Sequence, residues 1–184
     1  MSEQPVIYVG HTALAELPAF CRARAFDRFM LVADRNTYAV LGQAAEAALR
    51  DQGWDVRTVI LQGDEILADA QSMMQVLLNA DALPRVYVAI GSGTLTDITR
   101  FVSHRTGCAF ISLPTAPSVD GYTSIGASLI VDGLKQTVNC QSPLAIFADL
   151  AVLRAAPRLM IASGFGDLIG KLTSVADWQL GHLV

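Results

Sequence analysis

Four stretches of this chain, residues 29–33, 86–90, 108–113 and 144–148, are nearly unbroken in apolar side chains (Phe-Met-Leu-Val-Ala, Val-Tyr-Val-Ala-Ile, Cys-Ala-Phe-Ile-Ser-Leu and Leu-Ala-Ile-Phe-Ala). A strand with one wet face alternates apolar and polar residues, so a short run that is apolar throughout needs cover on both sides. Parallel sheets sandwiched between helices provide it. The intervening sequence agrees. Residues 37–52 are rich in Ala and Leu and stop at Gly53, and residues 68–80 are similar and are followed by Pro84. Both stops are ordinary helix terminators. Residues 54–61 and 6–9 add two further strands. Strand alternating with helix predicts a Rossmann-like α/β domain, a mostly parallel sheet with helices on both faces and right-handed crossovers.

One segment breaks this rhythm. Residues 127–131 and 134–138 flank Asp132-Gly133, a dipeptide that favours a two-residue turn, and predict an inserted antiparallel hairpin. Pro157 then opens a last helical stretch running to Val184. The expected division is an α/β domain over 1–156 and a helical segment over 157–184.

Composition excludes several classes. The 184 residues suffice for one well-buried domain or one domain and the start of another. A net charge of −4 leaves no basic footprint for nucleic acid. Apolar residues make up 52% and charged residues 16%, with mean hydropathy +0.41, so some apolar surface is expected to meet a partner. No uninterrupted apolar run approaches the roughly 18 residues of a membrane span. The start, Met-Ser-Glu-Gln-Pro, has no basic and apolar leader pattern. Cys21, Cys108 and Cys140 are too few and too far apart for a disulfide framework or a zinc ribbon, so free thiols and a cytoplasmic location are expected.

Three loops carry candidate chemistry. Gly91-Ser-Gly93 follows a strand and opens a helix near Thr94; it is either a cradle whose glycines admit a pyrophosphate to free N–H groups or an ordinary strand-to-helix turn. Thr96 stands where the full dinucleotide fingerprint has its third glycine, and Asp97 suits the first turn of a helix. Asp34 ends the strand over 29–33, where it serves either an adenine-side ribose or the cap of the next helix. Thr115, Ser118, Asp120, Thr123 and Ser124 crowd the carboxyl end of the third apolar strand. They form either a ligand loop or a polar turn on Pro114, Pro117 and Gly121. Asp167 lies in a helical pattern with Gly164, Gly166 and Gly170, and Lys171 shares its face. An i,i+4 ion pair and a ligand-binding carboxylate are the two readings.

The run Leu-Pro-Thr-Ala-x-Ser-x-Asp-Gly, followed by Gly-Asp-Leu-Ile-x-Lys, resembles the iron-containing alcohol dehydrogenase superfamily, in particular its sn-glycerol-1-phosphate and glycerol dehydrogenase branch. The likeness covers essentially the whole chain. It implies NAD or NADP as cofactor and a divalent metal, zinc ahead of iron or nickel. It assigns the pyrophosphate to Gly93, Thr94, Leu95, Thr96 and Asp97, and Gly91 of the same loop is expected to join them in binding the cofactor. Thr115, Ala116, Pro117, Ser118 and Ser124 also contact the cofactor, and Asp34 takes the ribose. The catalytic positions are Asp120, for substrate, and Asp167, for metal and substrate. Members of the family place two metal-binding histidines in an all-α second domain. The histidines here are His11, His104 and His182. His182 is 15 residues beyond Asp167, roughly 22 Å along one helix, too far to share an ion. One visible ligand falls short of the three a catalytic metal wants.

The chain is therefore expected to be the cofactor half of a metal-dependent dehydrogenase of a small polyol or polyol phosphate, with the first helix of a missing all-α C-terminal domain. That helix should associate as a homo-oligomer through Leu172, Val175 and Trp178. Two alternatives stand beside it. One is a 3-dehydroquinate synthase-like enzyme, although Val119-Asp-Gly-Tyr-Thr-Ser-Ile-Gly lacks that family's lysine and Asp167 replaces its glutamate. The other is a nucleotide-binding module with no chemistry of its own.

Overall fold

The computed structural model describes residues 4–183, so the expectations on Val184 and on the first three residues of the start lie outside it. Eight strands form, β1 (Val6–Gly10), β2 (Arg28–Asp34), β3 (Asp55–Leu61), β4 (Val86–Gly91), β5 (Phe110–Pro114), β6 (Gly126–Val131), β7 (Leu134–Asn139) and β8 (Ala145–Asp149). Six make one sheet in the order β1-β8-β5-β4-β2-β3 with every neighbouring pair parallel. β4 and β5 are buried at every residue and β2 from Phe29 to Ala33, as their unbroken apolar sequences require.

Alternate residues of these strands feed two core layers. Phe29, Leu31, Ala33, Val88 and Ile90 pack with α1 (Leu17–Ala23) and with Ala45 and Leu49 of the helix after β2. Met30, Val32, Tyr87 and Ala89 pack with α4 (Ala70–Leu77) and α5 (Gly93–Arg105). The helix after β2 runs as α2 (Arg35–Thr37), a wider turn over Tyr38–Gly42, and α3 (Gln43–Arg50). Gly42 is needed in that wider turn, because a Cβ there would lie 3.2 Å from Tyr38 Cγ.

β6 and β7 form the separate hairpin, with Asp132 (φ 51°) and Gly133 (φ 78°) both left-handed, as a two-residue turn demands. Its inner face, Ala127 and Leu129, joins the α5 layer.

Some boundaries move. α4 is shorter than 68–80, because Asp69 caps it by accepting from Ser72 N at 2.9 Å. A short helix, α6 (Leu150–Ala155), adds itself where none is legible. Asp149 caps it, and Pro157 separates it from α7 (Arg158–Leu183). α7 leaves the body almost uncovered, with Leu172 76% and Trp178 84% exposed. Although polar residues interrupt every apolar run, the segment Arg158–His182 is long and apolar enough to cross a membrane, with mean hydropathy 1.2 and none of it buried. The three cysteines are free, and burial pushes the Cys21 thiol up to about 12, which keeps it inert.

Candidate functional site

The carboxyl ends of β2, β4 and β5 point the same way and set the site. After β2 the chain leaves over one face of the sheet, and after β4 over the other. Neighbouring strands whose connections part in this manner leave a crevice between them.

Into that crevice points the start of α5. Ser92 is the N-cap residue, extended at φ −85° and ψ −162°, yet its side chain caps nothing. The N–H groups of the first turn therefore lack a side-chain acceptor and, with the helix dipole behind them, suit an anion. The two glycines have different reasons. A Cβ on Gly91 would lie 2.7 Å from Leu95 Cβ, so Gly91 lets α5 close onto β4. A Cβ on Gly93 would lie 3.2 Å from Val119 Cγ2, so Gly93 makes room for the neighbouring loop. Thr94 lines the crevice. Leu95 and Thr96 are buried; Leu95 joins the core and borders the larger cavity beside Asp34, and Thr96 borders that of Asp120.

Asp97 is also committed. Its carboxylate pairs with Arg100 Nη1 at 2.6 Å and accepts Ser128 N–H at 3.1 Å. Burial pushes the Asp97 carboxyl up from its ordinary value, against the attraction of Arg100 and that N–H. Arg100, itself 1% exposed, donates onward to the carbonyls of Gly126 at 2.7 Å and of Gly121 and Tyr122 at 3.1 Å. The pair ties α5 to the polar loop and the hairpin.

In that loop Thr115, Ala116 and Ser118 are buried, with Pro117 half-buried beside them. Tyr122 Oη donates to Ala116 O at 2.5 Å, and burial pushes its phenol up to about 12, so the donor stays protonated. Ser124 is exposed and its Oγ accepts Gly126 N–H at 2.9 Å. α7 reaches the loop at Gly164, where an added Cβ would come within 2.8 Å of the Pro117 carbonyl carbon.

That close approach delivers the second carboxylate. Asp167 Oδ2 accepts the backbone N–H of Asp120 at 2.9 Å. Lys171 Nζ lies 3.1 Å from Asp120 Oδ2 and 3.9 Å from Asp167 Oδ1. The Asp120 N–H, then Lys171, hold Asp167 below the usual carboxylate range, and Asp120 raises Lys171. Asp167 and Lys171 form the i,i+4 ion pair, and Asp167 also lines a cavity of about 460 Å³ with Gly93, Thr94, Asp120, Ser124 and Lys135.

Asp34 is a helix cap that also borders open space. It caps the helix after β2, accepting Thr37 N–H at 2.8 Å while Thr37 Oγ1 accepts Asp34 N–H at 3.0 Å. It also lines two cavities of about 580 and 320 Å³ that share Ser92. Thr94 joins the larger of these to the Asp120 cavity. These neighbouring cavities extend from Asp34 past the start of α5 to Asp120 and Asp167. Among the described residues no group of three His, Cys, Asp or Glu side chains stands close enough to hold a metal.

Sequence reasoning missed Arg100, Tyr122 and Lys135. The i,i+3 spacing of Asp97 and Arg100 is the one local signal that pointed to the first. The other two depend on contacts between loop, helix and hairpin.

The family model for iron-containing alcohol dehydrogenase matches residues 8–157. A glycerol-1-phosphate dehydrogenase [NAD(P)+] of Halalkalibacterium halodurans is 43% identical over 99% of this chain and 46% of its own length. This chain thus spans about half the length of the curated relatives it matches. Among solved structures, glycerol dehydrogenase from Schizosaccharomyces pombe superposes with a TM-score of 0.81 at 21% identity, covering 92% of this chain and 43% of that one. A 2-deoxy-scyllo-inosose synthase complexed with carbaglucose-6-phosphate, NAD+ and Co2+ gives 0.76 at 19%, covering 92% and 51%.

Proposed function

The chain belongs to the iron-containing alcohol dehydrogenase family, and we propose that it is the cofactor-binding part of an NAD(P)-dependent, metal-dependent dehydrogenase of a small polyol phosphate. Glycerol-1-phosphate, named in the relatives at 43–44% identity, is the first candidate substrate. The observation that carries the reading is the groove joining Asp34, the uncapped start of α5, and the Asp120–Asp167 pair. The proposed division has 1–156 as the nucleotide-binding unit and 157–184 as the beginning of a helical, metal-binding one. A cytoplasmic location and self-association belong to the same proposal.

When bound, the nicotinamide supplies the hydride acceptor or donor. The protein's part is positioning. The first turn of α5, through Gly93 and Thr94, holds the pyrophosphate, and Asp34 accepts from the ribose with the lone pairs that Thr37 leaves open. The loop of Thr115, Ala116, Pro117, Ser118 and Ser124 lies along the cofactor, fixed by Tyr122 and Arg100. Asp120 accepts a substrate hydroxyl, and Lys171 keeps that carboxylate oriented. Asp167, ionised well below neutral pH, offers one oxygen ligand to a divalent metal, zinc ahead of iron or nickel. A catalytic metal takes about three protein ligands, of which Asp167 would be one.

Titration of the chain with NADH, followed by cofactor fluorescence, tests the reading. Saturation is expected in the micromolar to millimolar range. Asp34→Ser, which keeps a capping side chain, should weaken NADH more than NADPH. A folded chain that shows no saturable binding of either cofactor would refute the proposal.

A further inference from the structure

The hairpin is two-sided, and its outer side is unassigned. Ala127 and Leu129 of β6 face the core, so the alternation of a strand turns Ser128 and Ile130 the other way. In the register of the hairpin Ser128 stands opposite Thr137 and Ile130 opposite Lys135. These four residues line the cavity that holds Asp120 and Asp167. The outer face is thus one wall of the substrate cavity, and Lys135 is its only cation.

Charge decides what that wall meets. Lys171 is engaged by both aspartates, and Arg100 is engaged by Asp97 and three carbonyls. Lys135 makes no ion pair among the described residues. It nevertheless belongs to the site, since it lines the same cavity as Asp97, Asp120 and Asp167. A cavity of about 460 Å³ admits a molecule of a few carbons. Carboxylates at one wall suit hydroxyl donors, and a free ammonium at another suits an anion.

We propose that Lys135 is the residue that selects a phosphorylated polyol over a neutral one, by receiving the phosphomonoester while Asp120 takes a hydroxyl. The inference rests on the dehydrogenase reading above and adds the residue that discriminates its substrate. No bond is made or broken by Lys135. It is a specificity residue whose single positive charge is matched to the substrate's negative one.

The test compares wild type, Lys135→Met and Lys135→Arg of the whole chain, each saturated with NADH where NADH binds. Glycerol-1-phosphate and glycerol are titrated separately and followed by calorimetry and by the amide shifts of Asp120 and Thr137. Lys135→Met should weaken glycerol-1-phosphate about tenfold, the scale of one lost charge-assisted hydrogen bond. Glycerol affinity should not move, and Lys135→Arg should recover most of the loss. Raising the salt should shrink the wild-type advantage of the phosphate ester and leave Lys135→Met unchanged. Equal affinity of wild type and Lys135→Met for the ester, an equal loss for ester and glycerol, or no saturable ester binding to an NADH-saturated wild type would each overturn the assignment. Failure to bind NADH would instead sink the dehydrogenase reading. In that case the salt-dependent difference between ester and glycerol still decides the role of Lys135.

Discussion

Replacing Arg100 by Ala is the substitution from which the structure predicts most. Arg100 is 1% exposed and its guanidinium spends four contacts, one on Asp97 and three on the carbonyls of Gly121, Tyr122 and Gly126. Truncation leaves Asp97 without its counter-ion and strands three acceptors. Breaking a buried pair from one side costs about 3–5 kcal/mol. Asp97 keeps 19% of its side-chain surface, so water recovers part of that, and about 3 kcal/mol is the expected loss. Set against the roughly 5–15 kcal/mol of a whole domain, this is a large fraction. In urea unfolding the midpoint should fall with little change in slope, and the melting temperature should drop by about 6–12 °C for a chain of this size. The informative control is the double variant Asp97→Asn/Arg100→Met, which removes both charges together. It should be closer to wild type than Arg100→Ala, because no lone charge stays buried. A loss below about 1 kcal/mol in Arg100→Ala, or a double variant no better than the single, would refute the claim that this pair clamps the loop and hairpin to α5.

Two further outcomes follow from other contacts. Gly164→Ala places a Cβ within 2.8 Å of the Pro117 carbonyl carbon, so α7 must shift off the 115–118 loop; NADH should bind several-fold more weakly, and unaltered affinity would show that α7 does not support that loop. At the opposite end of the sheet, Arg85, buried, holds Asp55 at 2.7 Å and Asp81 at 2.9 Å and draws both carboxyls below their ordinary value of 3.8. Depressed carboxyls contribute stability that is present above pH 3.8 and is lost as pH falls through the folded values. Stability against urea should therefore decline below about pH 4, and Arg85→Met should flatten that decline; an Arg85→Met curve parallel to wild type would contradict the sign.

The central sheet was legible because its signal is local. Strands β2, β4 and β8 carry their apolar character in five or six consecutive residues, and Asp132-Gly133 names its own turn. Boundaries slipped where a single contact decides them. Asp69 takes Ser72 N–H and starts α4 two residues late, and Asp149 starts α6 by accepting two N–H groups that no periodicity announces. Candidate residues separated in the same way. Asp34, Gly93, Asp120 and Asp167 line one groove, as their places at strand and helix ends imply. Leu95 and Asp97 border the same cavities but also serve the core and the Arg100 clamp, contacts that depend on what lies across from α5 rather than on the motif that contains them. Lys135 stayed hidden because its relevance rests on the parity of a strand register. A slip of one residue would turn it from the cavity.

α7 poses the remaining physical problem. Its first turns are anchored: Gly164 nestles against Pro117, Asp167 accepts Asp120 N–H, and Lys171 holds Asp120. Beyond Lys171, Leu172, Val175, Trp178 and Leu180 are between 54% and 84% exposed. Full burial of a large apolar side chain is worth about 1.5–3 kcal/mol, so four of them leave uncollected an amount comparable to the stability of a domain. The anchored and the naked halves are one helix, and the Asp167 contact lies one turn before the uncovered stripe. Anything that covers the stripe stiffens the helix and favours the geometry in which Asp167 meets Asp120. By the reciprocity of linked equilibria, a ligand that favours the same Asp167–Asp120 contact would favour the covered helix to the same extent. Gly164 to Lys171 is the stretch that joins the cavity of Asp120 and Asp167 to the uncovered half of α7.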